Sequence, residues 1–456
     1  MIASGDLGGG MAAGARARRR ARRCLVAVWT IGGSVAGGSA ILGWAVVGSV
    51  TLACSSASVP KGPDAGIDRS DAALDATADS GTAAGGAGGN GGAATGGSSG
   101  GVGVGGAAGT GASGTDASVA DASFVDASVA DASVADGGIV TPLPWPGDST
   151  VAIQDSLDQF PSNLSGLSYE PASGGQPAIL WAIDNGPSTL YRLLFDGSTW
   201  SSSTADGWGA GKSLHFPDGT GDPDSEGVTR AEFTSPAIYV SIERDNDDKD
   251  VSRLSVLRFD TSATDTDLTA TNEWNLTADL PVSDPNLGLE AITWVPDSAL
   301  VAARFYDESA GALYDPTLYP NHGTGLFFVG LESNGSIYGY ALDQVGGGFQ
   351  RVASVASGQI SIMDLSFDRD VGDLWAYCDN TCGNIASVFG FGGDGRLQLR
   401  RIYEPPAGLP DSNNEGIAIA PEAECASGLK SFYWSDDADL NGHAIRRGDI
   451  PCGSLF

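Results

Sequence analysis

The chain is poor in histidine, in methionine and, past its first residues, in positive charge. Its three histidines, His215, His322 and His443, are scattered. That argues against a His-based catalytic triad and against zinc or copper held by imidazole. Lys and Arg total 24 against 56 Asp and Glu. Six of those Arg and one acid, Asp6, fall within the first 53 residues, which leaves 18 basic against 55 acidic residues beyond them. So negative a field argues against nucleic acid and anionic lipid surfaces as partners and favours cations. From Asp148 onward no stretch carries a sustained helical stripe.

What is there begins with a targeting segment. "RARRRARRC" (Arg16 to Cys24) is a basic front, followed by a mostly apolar run that ends in "VTLAC". Cys54 after Ala53 resembles the lipobox of bacterial lipoproteins, with Thr51 and Leu52 as departures from the usual pattern. Arg22-Arg23 with Leu25 also resembles a twin-Arg export signal. The reading is a signal peptide over residues 1–54 with Cys54 lipidated; an uncleaved membrane helix is the alternative. Either way the remainder lies outside the cytoplasm, in the bacterial cell envelope, and meets the membrane only through its anchor. Residues 55–147 are mostly Asp, Ala, Gly, Ser and Thr, with almost no large apolar residue and a five-residue "DASVA" repeat from Asp116. Such side chains cannot bury enough surface to offset ordering, so this segment reads as a disordered tether. "GVGVGG" and "GGSSG" inside it match nucleotide-binding and nucleophile-elbow patterns by composition alone.

Four cysteines remain beyond Cys24 and Cys54: Cys378, Cys382, Cys425 and Cys452. In an oxidising compartment an even number reads as disulfides. Three pairings are open; the favoured one joins Cys378 to Cys382 within one loop and Cys425 to Cys452.

From Asp148 the texture becomes all-β. Short runs such as "AILWAID", "AIYVSIE", "DLWAYCD" and "SFYWSDD" are separated by Gly, Pro, Asp and Asn. Aligning Ser165, Glu226, Glu290, Asp364 and Glu415 exposes a repeat: "SGLSY", "EGVTR", "EAITW", "DLSFD", "EGIAI". A second, third and in places fourth strand follows each, which predicts β-propeller blades over residues 148–456. The count is five, or six if the long third unit hides another. The last unit ends after three strands, and "TVAIQDSL" (Thr150 to Leu157) is predicted to supply the fourth and close the ring.

"LSGLSYEP…LWAIDNGPSTLYRLLFDG", "DSEGVT…IYVSIERDN" and "NEGIAIAP…SDDADLNGHAIRRGDI" resemble the SdiA-regulated family and the family with phytase-like or esterase-like activity. The acid-first blades are also similar to five-bladed calcium-activated nucleotidases. The resemblance implies a propeller with an ion-dependent site at Ser165, Glu226, Glu290, Asp364 and Glu415.

Strand geometry gives the same ring independently. The inner strand of each blade starts at one channel mouth, and the second strand returns there. An inner ring of Ser165, Glu226, Glu290, Asp364 and Glu415 should face an outer ring of Asp184, Glu243, Arg304, Asp379 and Asp436. Clustered carboxylates repel, and a hard cation with oxygen ligands, calcium before others, would offset this. The competing reading has each acid capping backbone N–H groups. "DADLNG" offers a second calcium loop through Asp437, Asp439 and Asn441, with a polar turn as its alternative. "RDNDDKD" (Arg244 to Asp250) reads as a solvated loop, and Trp181, Trp375 and Trp434 read as core. Two functions compete: a surface propeller that binds a small-molecule or protein ligand with the ion as a pin, or a calcium-dependent phosphoester or ester hydrolase. In the latter Asp184 or Glu243 would be the base, and Arg304 or Arg244 would hold a phosphate.

Overall fold

The computed structural model describes residues 141–456. The signal, Cys54 and most of the tether fall outside the described residues. Five sheets of at least four strands each make five blades, numbered here I to V in chain order. Their strands pair antiparallel, except for one parallel edge pair in the sheet of blade I, Asp267↔Ser213. The inner strands are Leu164–Glu170, Pro223–Arg230, Leu289–Pro296, Asp364–Asp368 and Asn414–Ile419. The ring is closed as anticipated: Ala152–Ile153 pairs antiparallel with Ile445–Pro451, in the register Ala152↔Arg447, as the fourth strand of blade V.

The middle strands carry apolar residues on both sides, as in Ile179–Asn185, which is buried over its first six residues. A strand of that kind needs cover on both faces, and the blades supply it by packing face to face. The core is accordingly five clusters, one per blade junction. Trp181, Trp208, Val240 and Phe259 fill the junction of blades I and II, and Trp274, Trp294 and Tyr340 that of II and III. Phe328, Phe367 and Phe389 join III to IV. Trp375, Phe432 and Trp434 join IV to V. Leu164, Trp200 and Tyr433 join V back to I. Trp181, Trp375 and Trp434 are core, each at most 2% exposed.

Ordered packing starts ahead of Asp148. The Leu143 N–H donates to Ile402 O at 2.8 Å, and Glu404 N–H donates to Leu143 O at 2.8 Å. Trp145 lies with its ring 5.2 Å from Phe432 and 5.3 Å from Trp434. An aromatic isolated in a polar stretch offers no period from which this can be read.

The length of the third unit comes from an insertion, not a sixth blade. Between its first strand and Gly325–Leu331 lie a short helix, Asp297–Ala302, and a hairpin whose two-residue strands pair only with each other. The insertion is pinned by Tyr314, whose hydroxyl donates to Asp297 at 2.8 Å, and by His322 Nε2, 3.1 Å from the same carboxylate. "GLFFVGLE", which reads as a third strand in sequence, is therefore the second; Ser336–Leu342 is the third. Both disulfides form as anticipated, Cys378–Cys382 and Cys425–Cys452.

Candidate metal centre

Four of the five inner strands carry a β-bulge at the aligned position. Register slips by one residue between Leu164 and Leu167, Ser225 and Val228, Leu289 and Ala291, and Asn414 and Ile417. A bulge adds an unpaired residue and re-aims its side chain. The residues re-aimed are Ser165, Glu226, Glu290 and Glu415. The glycine that follows in three of them answers a close approach between neighbouring inner strands. A Cβ on Gly166 would lie 2.6 Å from Glu226 O, and one on Gly227 would lie 2.8 Å from Glu290 O. Serines on the second strands satisfy the amides that the bulges free. Gly227 N–H donates to Ser241 Oγ and Gly416 N–H to Ser435 Oγ, both at 2.9 Å.

Blade IV differs. Its inner strand pairs without a slip, Asp364 opposite Tyr377. The Asp364 carboxylate is fully buried and accepts from the backbone N–H of Ile417 at 2.7 Å and of Leu167 at 3.5 Å. Each of those amides directly follows a bulge. Asp364 thus ties blades I and V to blade IV as a backbone cap and does not line the mouth. Leu365, where the other blades have Gly or Ala, is the residue that marks the difference.

The outer ring is offset by one residue from the sequence reading in blades I and V. Asp184 pairs with Leu164 and Asp436 with Asn414, in the register where blade II has Ile242 opposite Ser225. The equivalents of Glu243 are therefore Asn185 and Asp437. Because strand side chains alternate, a one-residue slip turns each to the other side. Asp436 is sealed behind the mouth by Arg446 at 2.8 Å and Ser412 at 3.0 Å. Asp184 is fully buried, and burial pushes its carboxyl up to about 7. Arg304 does not reach the mouth at all. It is exposed, with φ of 55°, just past the inserted helix. Glu332, which follows the true second strand of blade III, stands in its place.

The observed mouth is a cup of about 550 Å³. Glu226, Glu290 and Glu415 line it from the inner strands, with Glu243 from a second strand and Glu332, Asp379 and Asp437 just past the ends of the others. Asp222 and Asp224 join them, and Arg244 and Lys249 are the two cations in the wall among the described residues. The Arg244–Asp250 loop, read from sequence as solvated, thus contributes to the cup. Asp224 is legible as a partner: it lies two residues before Glu226, as Asn163 precedes Ser165 and Asn413 precedes Glu415, and all three line the cup.

Two groups of carboxylates converge within 4.8 Å, Asp224 with Glu226 and Glu243, and Glu243 with Glu290 and Glu332. At that separation each ionised pair repels by about 3.5 kcal/mol at an effective dielectric of about 20. Ser165 Oγ lies 2.9 Å from Glu226 Oε2 and 2.8 Å from Glu415 Oε2. One hydroxyl proton is shared there between two carboxyls, so the pair is short of donors. Burial first, and neighbouring carboxylates after it, hold Glu226, Glu290 and Glu415 well above the usual range. The same causes push Glu243 up to about 8 and Glu332 up to about 7. Glu243 gains one compensating donor, Gly288 N–H at 2.7 Å. Glu290, 6% exposed, faces other acids and has only raising influences on its carboxyl. The donor set is oxygen, without His or Cys among the described lining residues. Several of these acids could hold a metal ion.

The second calcium loop does not assemble. Asp437 turns into the cup and accepts from Asn413 at 3.0 Å. Asp439 faces Asp155 and Asp158 instead, and Asn441 occupies a left-handed turn with φ of 62°. Asp436 caps this turn through the Ala438 N–H at 3.1 Å.

No family model matches the chain, and no curated protein matches it. Among solved structures it is similar to a chain of the mitotic checkpoint complex, with 9% identity over 70% of this chain and 100% of that one, TM-score 0.34. It is also similar to the major allergen Mala s 1 of Malassezia sympodialis, with 10% identity over 63% and 76%, TM-score 0.32. A protein from Lactobacillus plantarum gives 12% identity over 64% and 86%, TM-score 0.31. None of these likenesses bears on function.

Proposed function

We propose that the protein is a lipid-anchored, extracytoplasmic propeller whose acidic cup holds calcium and binds a ligand or partner protein there. The observation that carries the cation is Glu290: a carboxylate 6% exposed, among Glu226, Glu243 and Glu332, whose burial and acidic neighbours all push its carboxyl up. Calcium suits an all-oxygen set, since it takes about 6 to 8 oxygens at about 2.3–2.6 Å. Asp224, Glu226, Glu243, Glu290 and Glu332 would supply them. The envelope location and the anchor rest on the Cys54 motif. Calorimetric titration of the chelator-treated protein with calcium is the test. Saturable binding that Glu226→Gln weakens supports the reading; no binding at millimolar calcium sinks it. Radiolabelled fatty acid incorporated in the bacterial cell, and lost with Cys54→Ala, tests the anchor.

Arg244 and Lys249 in the same wall favour a second reading, a calcium-dependent phosphoester or ester hydrolase. Glu243, in both carboxylate groups, would be its base. The resemblance to phytase-like propellers points the same way. Calcium-dependent turnover of a generic phosphoester, abolished by Glu243→Gln, would select this reading over pure binding.

A further inference from the structure

A second cavity, about 370 Å³, lies between blades I and II on the face opposite the cup, where their inner strands end at Glu170 and Arg230. Its polar groups are not those of an ordinary surface in so acidic a chain. Arg230 is 4% exposed, and its guanidinium donates to Ser235 O at 2.6 Å and Thr261 Oγ1 at 3.3 Å. Glu170 stands 3.2 Å from Arg230 Nε and also accepts from Trp181 Nε1 at 2.8 Å. That acid is therefore neutralised internally. Arg192, opposite Trp181 in the sheet, is half-buried, lines the same cavity and has no acid within ion-pair distance among the described residues. Behind it Lys212 is fully buried over the Trp208 ring at 4.4 Å. Asp206 is the one other acid in the wall among the described residues, and it is exposed. Ser262 adds a hydroxyl beside Thr261.

We propose that this groove binds a small oxyanion, a carboxylate or a phosphate, with Arg192 as the residue that receives it. A guanidinium presents paired donors that match an oxyanion, and a groove walled by Trp181 and Trp208 lowers the dielectric around that contact. The Arg230–Glu170 pair fixes the rear wall, and Thr261 supplies a neutral polar neighbour. Burial lowers the pKa of both Arg230 and Lys212, and the Arg192 charge lowers both further, against the raising influence of Glu170 on the first and of Asp206 and Asp265 on the second. An anion at Arg192 relieves the repulsion among these cations.

The test is calorimetric titration of the full chain, stripped of metal by a chelator that is then dialysed away, with sodium phosphate and with sodium benzoate at constant ionic strength. The chelator removes any anion binding through a cation in the cup. Saturable binding of either probe that Arg192→Gln weakens by about tenfold or more is expected, since one charge-assisted contact of this kind is worth that much. Arg192→Lys should restore part of it. The proposal is overturned if neither probe binds saturably, if binding needs calcium, or if Arg192→Gln binds as wild type while its thermal unfolding is unchanged. Should Arg192→Gln fail to fold, Ser262→Arg, which adds charge at the rim, must tighten binding; no tightening overturns the proposal.

Discussion

At Glu290, burial and like charge act in the same direction. Glu290→Gln replaces a carboxyl that must either hold a proton or repel its neighbours, at nearly constant shape. In chelator this variant should be more stable than wild type by roughly 1–3 kcal/mol, read by urea denaturation. Its calcium affinity should fall at least about tenfold, so calcium should stabilise it less than wild type. The titration of Glu243 and Glu332 gives a further expectation. Their folded-state values, about 8 and about 7, lie above the ordinary carboxyl value of 4.5. Between those limits the folded chain holds protons that the unfolded chain has released. Stability therefore falls as pH rises from about 4.5 to about 8. Unfolding midpoints measured in chelator should drop across that range, and saturating calcium, which replaces the protons, should flatten the slope.

At the scale of the strand, the bulge with its small following residue is the unit that builds the cup. Gly166→Ala would place a Cβ 2.6 Å from Glu226 O and 2.7 Å from Gly227 Cα, both backbone. A loss of roughly 2–4 kcal/mol is expected in chemical denaturation. Gly393→Ala, which meets nothing within 4 Å, should stay within about 0.5 kcal/mol. The same unit explains what could be read in advance. Glu226, Glu290 and Glu415 were legible because acid, small residue and strand recur together. Asp364 reads alike in a simple alignment, but Leu365 removes the bulge and turns its carboxylate onto amides. Asp184 and Asp436 were one residue off because the bulge changes the pairing count without leaving a mark in composition. Arg304 was misplaced because the insertion carries apolar runs that imitate a strand.

At the scale of the molecule, the fold was legible from repeat spacing and the unfinished last unit, since a ring must complete its final blade. Its starting point was less so, because Leu143 and Trp145 join through contacts distant in sequence. A truncation starting at Thr141 should keep the unfolding midpoint and calcium response of the full chain. One starting at Asp155 loses the closing strand and Trp145, and should unfold at a lower urea concentration with a broader transition.

That closing strand has a mechanical consequence. The polypeptide arriving from the N-terminal side meets the domain at Leu143, beside the outer strand of blade IV, and then crosses to blade V. A pull on the N-terminal segment would load the Leu143 hydrogen bonds and the Trp145 contacts first. Only when those yield would tension reach Ala152–Ile153 and open the ring, so the early contacts act as a strain relief for the seam.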